Sequence, residues 1–113
     1  MAISVSVSKH GLLTMRIDRD GDSVVVRALG QLDIGTSKHL EEELRQALRC
    51  DASPVVLDLG KVDFIDSTGL RVLLWGAEHS RENGDWLRIR NGSAAVRKAV
   101  ETSGVGPLLP ITA

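Results

Sequence analysis

The chain has 113 residues, 42% of them hydrophobic and 26% charged, and its formal net charge is −1. This length suits one domain, which can bury a core without disulfides or metals, since those become necessary mainly below about 40 residues. The balanced charge lacks the basic footprint of nucleic-acid-binding proteins. One cysteine cannot form an intrachain disulfide, and no apolar run approaches the roughly 18 residues of a membrane helix. The start "MAISVSVSKHG" does not resemble a secretory signal, so we expect a cytoplasmic domain without membrane insertion.

The first half of the chain predicts a hairpin followed by a helix. Residues 1–10 alternate only weakly and predict a frayed or edge segment. "LLTMRID" (12–18) and "SVVVRAL" (23–29) are rich in β-formers and flank the turn dipeptide Asp20-Gly21. "SKHLEEELRQALR" (37–49) is the clearest helix, because its apolar residues form one stripe, and Thr36 or Ser37 can cap it.

The second half alternates strands with helices. We expect strands at 54–59 and 85–90, helices at 68–83 and 93–104, and a candidate short strand at 107–111. In the strand 85–90, alternation places Trp86 on the same face as Arg88 and Arg90. The order β-β-α-β-α-β-α, with a candidate final β, predicts an α/β fold. Its mixed sheet is mostly parallel, with the first hairpin antiparallel and the helices mainly on one face.

The stretch "DFIDSTGL" (63–70) lies where the strand 54–59 leads into the helix 68–83. Phe64 and Ile65 are expected to fill the core, Ser67 to cap the helix, and Gly69 to permit close packing. This structural interpretation explains the spacing without any further function. A functional interpretation uses the same geometry, because a helix N-terminus with unpaired N–H groups stabilises an anion such as a phosphate on Ser67. Asp66, and Asp33 across the surface, would make that patch more acidic.

"VDFIDSTGLRVLL" (62–74) resembles the signature of STAS domains, and specifically of anti-sigma factor antagonists of the SpoIIAA/RsbV type. "GQLDIGTSKHL" (30–40) resembles the segment between that family's second strand and first helix, and "SAAVRKAVETSGVGPLLPI" (93–111) resembles its C-terminal helix. The resemblance implies one STAS domain over residues 1–113, with a core of about 12–111.

The resemblance also implies a non-enzymatic phosphoprotein without a cofactor. Ser67 is the implied phosphoacceptor of an ATP-dependent anti-sigma factor kinase, and a separate phosphatase removes the phosphate. The unphosphorylated form binds the anti-sigma factor and releases a sigma factor. The implied partner-binding residues are Asp33, Asp66, Ser67, Thr68, Gly69 and Arg71. Arg71 stands where the family commonly has a small residue, which could alter partner choice.

The remaining candidate phosphate, catalytic and metal sites are better explained by structural roles. The Gly30 and Gly35 spacing resembles a phosphate loop, but Lys38 comes two positions too late and Asp33 would repel phosphate. His10, His39 and His79 could serve a catalytic serine, but no "GxSxG" elbow is present, and the two helical histidines, His39 and His79, are expected to be solvated. Asp58, Asp63 and Asp66 lack a His or Cys to complete a metal site. Cys50 is expected to be half-buried.

A second class of function stays open. STAS domains also serve as non-enzymatic subunits of membrane transport and lipid-trafficking complexes. Copurification with a transporter rather than a kinase would distinguish that function.

Overall fold

The computed structural model describes residues 3–112 as six strands, three α-helices and a short 3-10 helix. The elements, in chain order, are β1 (Ile3–His10), β2 (Leu13–Asp20), β3 (Ser23–Leu32), α1 (Ser37–Arg49), β4 (Val55–Ile65), α2 (Ser67–Glu82), β5 (Leu87–Arg90), α3 (Ala94–Ser103), the 3-10 helix (Gly106–Leu108) and β6 (Ile111–Thr112). Within this range, no helix is both long and apolar enough to cross a bilayer.

The strands form one mixed sheet in the order of the chain, from β1 to β6. β1, β2 and β3 are antiparallel neighbours, whereas β3, β4, β5 and β6 are parallel neighbours. The predicted α/β class, the hairpin and the parallel remainder are therefore confirmed.

The N-terminal segment forms a complete edge strand, β1. The weak alternation of residues 1–10 had predicted only a frayed or edge segment. Two-residue turns connect the first three strands, since His10 pairs with Leu13 and Asp20 pairs with Ser23. Each turn begins with a glycine in the left-handed region, Gly11 at φ +60° and Gly21 at φ +61°. The second turn is thus Gly21-Asp22, one position later than the predicted dipeptide, because the first central position requires the positive φ.

Alternate side chains of the central strands form the core on one face of the sheet. Leu13, Met15 and Ile17 of β2 and Val24, Val26 and Ala28 of β3 are all buried. The same face continues through Val55, Leu57 and Leu59 of β4 and through Leu87 and Ile89 of β5. Helices α1 and α2 pack against each other, and the three helices contact β3, β4 and β5.

The opposite face of the sheet carries a chain of alternating charges. Arg27 lies 2.6 Å from Asp18 and 3.7 Å from Asp58, and Arg90 lies 3.6 Å from the same Asp58 oxygen. Arg16 extends the chain to the other side of Asp18 at 3.1 Å. The hydrogen bonds from Arg16 and Arg27 hold the pKa of Asp18 below its ordinary value, against the effect of desolvation. Asp58, a candidate metal ligand in the sequence, is thus an ion-pair partner.

β4 extends well beyond the predicted end of the strand, to Ile65. Its pairing with β3 continues through two register shifts to the pair formed by Leu32 and Ile65. The alternation is broken along this extension, so Ile65 is buried whereas Phe64 is 47% exposed. The expectation that Phe64 fills the core was wrong.

Of the two tryptophans, Trp86 is the buried one. Trp86 is 3% exposed because β5 begins only at Leu87, after Asp85 turns the chain at φ +54°. The predicted shared face with the arginines of β5 was therefore wrong. The Trp86 Nε1–H donates to Nδ1 of His79 at 3.1 Å. Trp75 is half-buried and lies under the guanidinium of Arg45, at 4.2 Å from the ring centroid.

The helical histidines and the cysteine also differ from expectation. His39 stacks on His10 with ring centroids 3.8 Å apart, and His79 accepts the indole hydrogen bond, so neither is simply solvated. Cys50 follows the last turn of α1 and is exposed, not half-buried. The two histidine partners, His10 and Trp86, lie outside the helices, which explains why helix periodicity alone could not indicate these contacts.

We predict that His79→Leu destabilises the domain by about 1–3 kcal/mol, because it leaves the buried indole N–H without its acceptor. The loss should be smaller in a Trp86→Phe background, where no donor remains. Urea unfolding of the two single variants and the double variant measures this coupling. Equal costs of His79→Leu in both backgrounds would show that the hydrogen bond contributes nothing.

Candidate functional site

The site is built where β3 and β4 end side by side. Both strands run in the same direction, so their carboxyl ends meet at one edge, where open α/β sheets commonly bind their ligands. The loop 33–36 follows β3, and Asp66 follows β4. The Asp66 N–H donates to the Leu32 carbonyl at 3.1 Å, which fixes the two chain segments beside each other.

Asp66 is the N-cap of α2. Its backbone is extended, and its Oδ1 accepts hydrogen bonds from the Thr68 N–H at 2.9 Å and from the Gly69 N–H at 3.2 Å. The Thr68 hydroxyl donates to the same oxygen. The expectation that Ser67 caps the helix was therefore wrong by one residue. An aspartate caps as well as a serine and also complements the helix dipole with its charge, so Asp66 is favoured at this position.

Ser67 is consequently the first helical residue, and its side chain is exposed. This frees the hydroxyl from the capping role that the sequence suggested. It also changes the electrostatics, because the Asp66 carboxylate already occupies the N–H groups of Thr68 and Gly69. A phosphate on Ser67 would therefore not be received by these two N–H groups.

The Asp66 carboxylate also reaches the loop that follows β3. Partial burial alone would raise the pKa of Asp66, but the Thr68 hydroxyl and the N–H groups of Gly69, Thr68 and Ile34 favour the charged form. The net result is a pKa below the ordinary value of an aspartate. The charge of Asp66 is thus stabilised mainly by the first turn of α2, with a further contribution from the backbone of Ile34.

Asp33 and Thr36 shape that loop. Asp33 Oδ1 accepts from the Gly35 N–H at 2.9 Å, and the Asp33 N–H donates to the Thr36 hydroxyl at 2.9 Å. Thr36 Oγ1 also lies 2.7 Å from the Gln31 carbonyl, to which it donates, so Thr36 occupies the N-cap position of α1 without capping it. The result is a tight loop with Ile34 at its tip, 81% exposed.

Gly69 permits the close approach of α2 to β3, as its sequence context predicted. A Cβ at this position would lie 2.7 Å from Ile65 Cγ1 and 2.9 Å from the Leu32 carbonyl oxygen. Real Cβ atoms essentially never make contacts this short, and the second neighbour is backbone. Gly69 is therefore buried and forms part of the support beneath Ser67.

A groove of about 510 Å³ lies beside Ser67, between the end of β4, the start of α2 and α3. Phe64, Leu70 and Ala99 give it apolar walls, and Lys98 places a cation on the same lining as Ser67. Ile34, in the loop after the neighbouring strand β3, is a further exposed apolar side chain. Sequence reasoning missed Ile34, Phe64 and Lys98. Only the first had a local signal, an apolar residue between Asp33 and Gly35.

The alternative chemistries find no support in this geometry. His79 lies twelve residues after Ser67 on the same helix, about 18 Å along its axis, and its Nδ1 is engaged by Trp86. His10 and His39 stack on each other between β1 and α1. Among residues 3–112, no group of three or more His, Cys, Asp or Glu side chains is arranged to hold a metal ion. The phosphate-loop interpretation also has no support, because Asp33 shapes the loop with its carboxylate.

Residues 15–110 match the family model described as "Mlab, STAS domain". The chain belongs to the STAS domain family. This STAS domain is 29% identical over 99 residues to BtrV of Bordetella bronchiseptica, provisionally named an anti-sigma factor antagonist, with 88% of the chain and 85% of BtrV covered. It is 26% identical over 100 residues to the anti-sigma F factor antagonist of Paenibacillus polymyxa, covering 88% of the chain and 86% of that relative.

Solved structures support the STAS fold. The anti-sigma factor antagonist SpoIIAA in its unphosphorylated form superposes with a TM-score of 0.65 at 20% identity, covering 99% of this chain and 89% of SpoIIAA. The phosphorylated form of Bacillus SpoIIAA superposes with a TM-score of 0.61 at 19% identity, covering 99% and 92% of the two chains. At these identities the likeness concerns the fold.

We predict that Gly69→Ala destabilises the STAS domain by about 1–3 kcal/mol, because the added methyl group must displace the backbone of β3. Gly76→Ala is the matched control in the same helix. Its Cβ would meet Leu87 Cδ2 at 3.0 Å, the flexible end of a side chain, and alanine improves helix propensity. Chemical unfolding compares the two variants. A loss for Gly76→Ala as large as that for Gly69→Ala would contradict this account.

We also predict that the cost of Asp66→Ala depends on pH. The pKa of Asp66 is lower in the folded than in the unfolded protein, so its charge stabilises the fold above the unfolded value of about 3.9. This stabilisation is lost as the pH falls through the folded pKa. The difference in unfolding free energy between wild type and Asp66→Ala should therefore shrink on acidification.

Ser93→Ala is the control for this pH dependence. Ser93 caps α3 by accepting from the Val96 N–H at 3.2 Å, but its hydroxyl does not titrate in this range. The cost of Ser93→Ala should stay constant while that of Asp66→Ala falls. Parallel pH profiles for the two variants would exclude a role for the Asp66 charge.

Proposed function

We propose that this STAS domain is an anti-sigma factor antagonist whose partner binding is switched off by phosphorylation of Ser67. The unphosphorylated form binds an anti-sigma factor kinase, and a sigma factor is thereby released. The observation that carries the proposal is the exposed hydroxyl of Ser67 directly after the Asp66 cap. The domain is non-enzymatic: it supplies the acceptor hydroxyl, the kinase supplies ATP and Mg²⁺, and a separate phosphatase reverses the modification.

The named relatives support this assignment. BtrV and the Paenibacillus protein are named as antagonists of anti-sigma factors, and both align with 88% of this chain. SpoIIAA, which shares the fold, is a protein whose structure exists in unphosphorylated and phosphorylated forms. A member of the fold that carries a phosphate gives a precedent for modification without a change of fold.

We assign two roles to the residues of the site. Ser67 and Arg71 are exposed and one helical turn apart, so they present the same side of α2 to a partner. Ile34 and Phe64 add exposed apolar area next to them, as expected at the centre of a protein interface. Asp33, Asp66, Thr68 and Gly69 act mainly by holding the loop and helix start in position.

The release mechanism is electrostatic. A phosphate adds about −1.5 to −2 charges next to Asp66, whose carboxylate already occupies the N–H groups of Thr68 and Gly69. The helix dipole then offsets only about 0.3–1 kcal/mol, whereas burying an uncompensated charge in an interface costs several kcal/mol. A net loss of about 3 kcal/mol weakens binding roughly a hundredfold.

We predict that incubation with the cognate anti-sigma factor kinase and ATP places one phosphate on Ser67. Mass spectrometry of the proteolytic peptides identifies the modified residue. Ser67→Ala should abolish the modification. Ser93→Ala, which removes an N-cap serine from α3, should leave it unchanged. Modification of Thr68 in place of Ser67 would contradict the assignment, since the Thr68 hydroxyl is engaged by Asp66.

Partner affinity is the second measurement. Calorimetric titration should give binding for the unmodified domain and a roughly hundredfold weaker binding for the phosphorylated one, with Ser67→Asp between them because it carries one charge on a shorter stem. Equal affinity of the phosphorylated and unmodified forms would refute the mechanism. Copurification with a membrane transport complex in place of a kinase would refute the function.

A further inference from the structure

β1 leaves one edge of the sheet unpaired along its length, within residues 3–112. It spans Ile3–His10 and pairs only with β2. Long edge strands are commonly protected by proline, bulges or charges, because their free backbone groups can bind another strand. β1 contains no proline, its single lysine is Lys9 near the end, and Val5 and Val7 are 51% and 59% exposed.

The backbone groups that face outward follow from the turn between β1 and β2. The two-residue turn makes His10 and Leu13 a pair that exchanges both hydrogen bonds, and such pairs alternate along the ladder. Ser4, Ser6 and Ser8 therefore bond to β2. The N–H and C=O groups of Ile3, Val5, Val7 and Lys9 point away from the sheet.

The sequence of this edge is symmetric about Ser6. The segment "SVSVS" (4–8) reads the same in both directions, so an antiparallel copy places Val5 opposite Val7 and Ser4 opposite Ser8. In this register the outward groups of one strand meet the outward groups of the other, as hydrogen-bonded pairs require. Lys9 falls opposite Ile3, so no like charges meet.

We propose that a second copy of this chain binds along β1, with a two-fold axis at Ser6, and joins the two sheets into one. Val5 and Val7 of both copies then form a cluster of four valines on the face that the helices do not cover. Ser4 and Ser6 on the other face are exposed, so no helix obstructs the approach. This self-complementary arrangement is the isologous contact of a two-fold dimer.

The expected dimer is weak and dissociates on dilution. A single pair of strands buries less accessible surface than the roughly 1,200–2,000 Å² that stable interfaces bury. A second copy of the chain is nevertheless a specific partner. Every outward-facing backbone N–H and C=O group from residue 3 to residue 9 meets its hydrogen-bond counterpart in an identical strand. Formation of this dimer does not depend on phosphorylation of Ser67.

Disulfide trapping tests the register directly. The two-fold axis brings the Ser6 Cα atoms to about 4.5 Å, within the range of a disulfide, whereas the Ser4 Cα atoms lie about 14 Å apart. Ser6→Cys and Ser4→Cys are matched because both serines are exposed on the same face of β1. Both variants carry Cys50→Ser, since Cys50 is itself exposed.

With oxidised glutathione as the oxidant, Ser6→Cys should form a covalent dimer at least about tenfold faster than Ser4→Cys, and urea should abolish the difference. Equal rates in the folded state would overturn the register. Sedimentation equilibrium provides the independent measurement. The apparent mass of the wild-type chain should rise with concentration, and Val7→Lys should weaken the association at least about tenfold.

Leu12→Lys is the control for Val7→Lys, because Leu12 is 66% exposed in the neighbouring turn and lies outside the predicted contact. It adds the same charge and should leave association unchanged, while circular dichroism verifies that both variants fold. A monomeric mass for the wild-type chain at every concentration up to its solubility limit would overturn the proposal. Equal effects of the two lysine variants would show that the contact lies elsewhere.

Discussion

The carboxylate of Asp66 is the interaction on which the geometry of the site depends. It accepts hydrogen bonds from the N–H groups of Thr68 and Gly69 and from the Thr68 hydroxyl. The N–H of the same residue donates to the Leu32 carbonyl, so Asp66 connects the start of α2 to the end of β3. Its position is itself determined by the pairing of Leu32 with Ile65 and by the narrow contact at Gly69. The register of β3 and β4, the packing of α2 and the half-buried carboxylate of Asp66 therefore act together. They leave Ser67 outside the hydrogen bonds that fix the start of α2.

The residues that stabilise this surface differ from the residues that are exposed on it. Asp33, Asp66 and Thr68 use their polar atoms within the domain, whereas Ser67, Arg71, Ile34 and Phe64 extend from it. A modification of Ser67 can therefore change the charge of the surface without withdrawing a group that the fold requires. The same separation explains how an exposed serine can begin a helix without itself being the cap.

Much of the architecture could be predicted from local patterns, and the errors share a physical cause. The predicted apolar stripe of α1, formed by Leu40, Leu44 and Ala47, depends on residues a few positions apart, and this prediction was confirmed. The Ser93 cap and the left-handed Gly104, which delimit α3, depend on equally local contacts. Phe64, Trp86 and His79 were assigned wrongly because their surroundings depend on where a strand ends or on a partner in another element. The cap of α2 was displaced by one residue because Asp66 and Ser67 are both good caps in sequence, and only the strand end decides between them.

The strands lie in the sheet in the same order as in the chain, and this has a consequence for how the domain assembles. Each strand pairs with the strand preceding it in sequence, so no strand must wait for a distant segment before it can be added. Such a sheet can grow from its N-terminal end while the ribosome is still extending the chain, first through two tight turns and then through one helical crossover for each further strand. The edge that carries Ser67 would be complete once α2 has been synthesised, before α3 arrives to form the far wall of the groove.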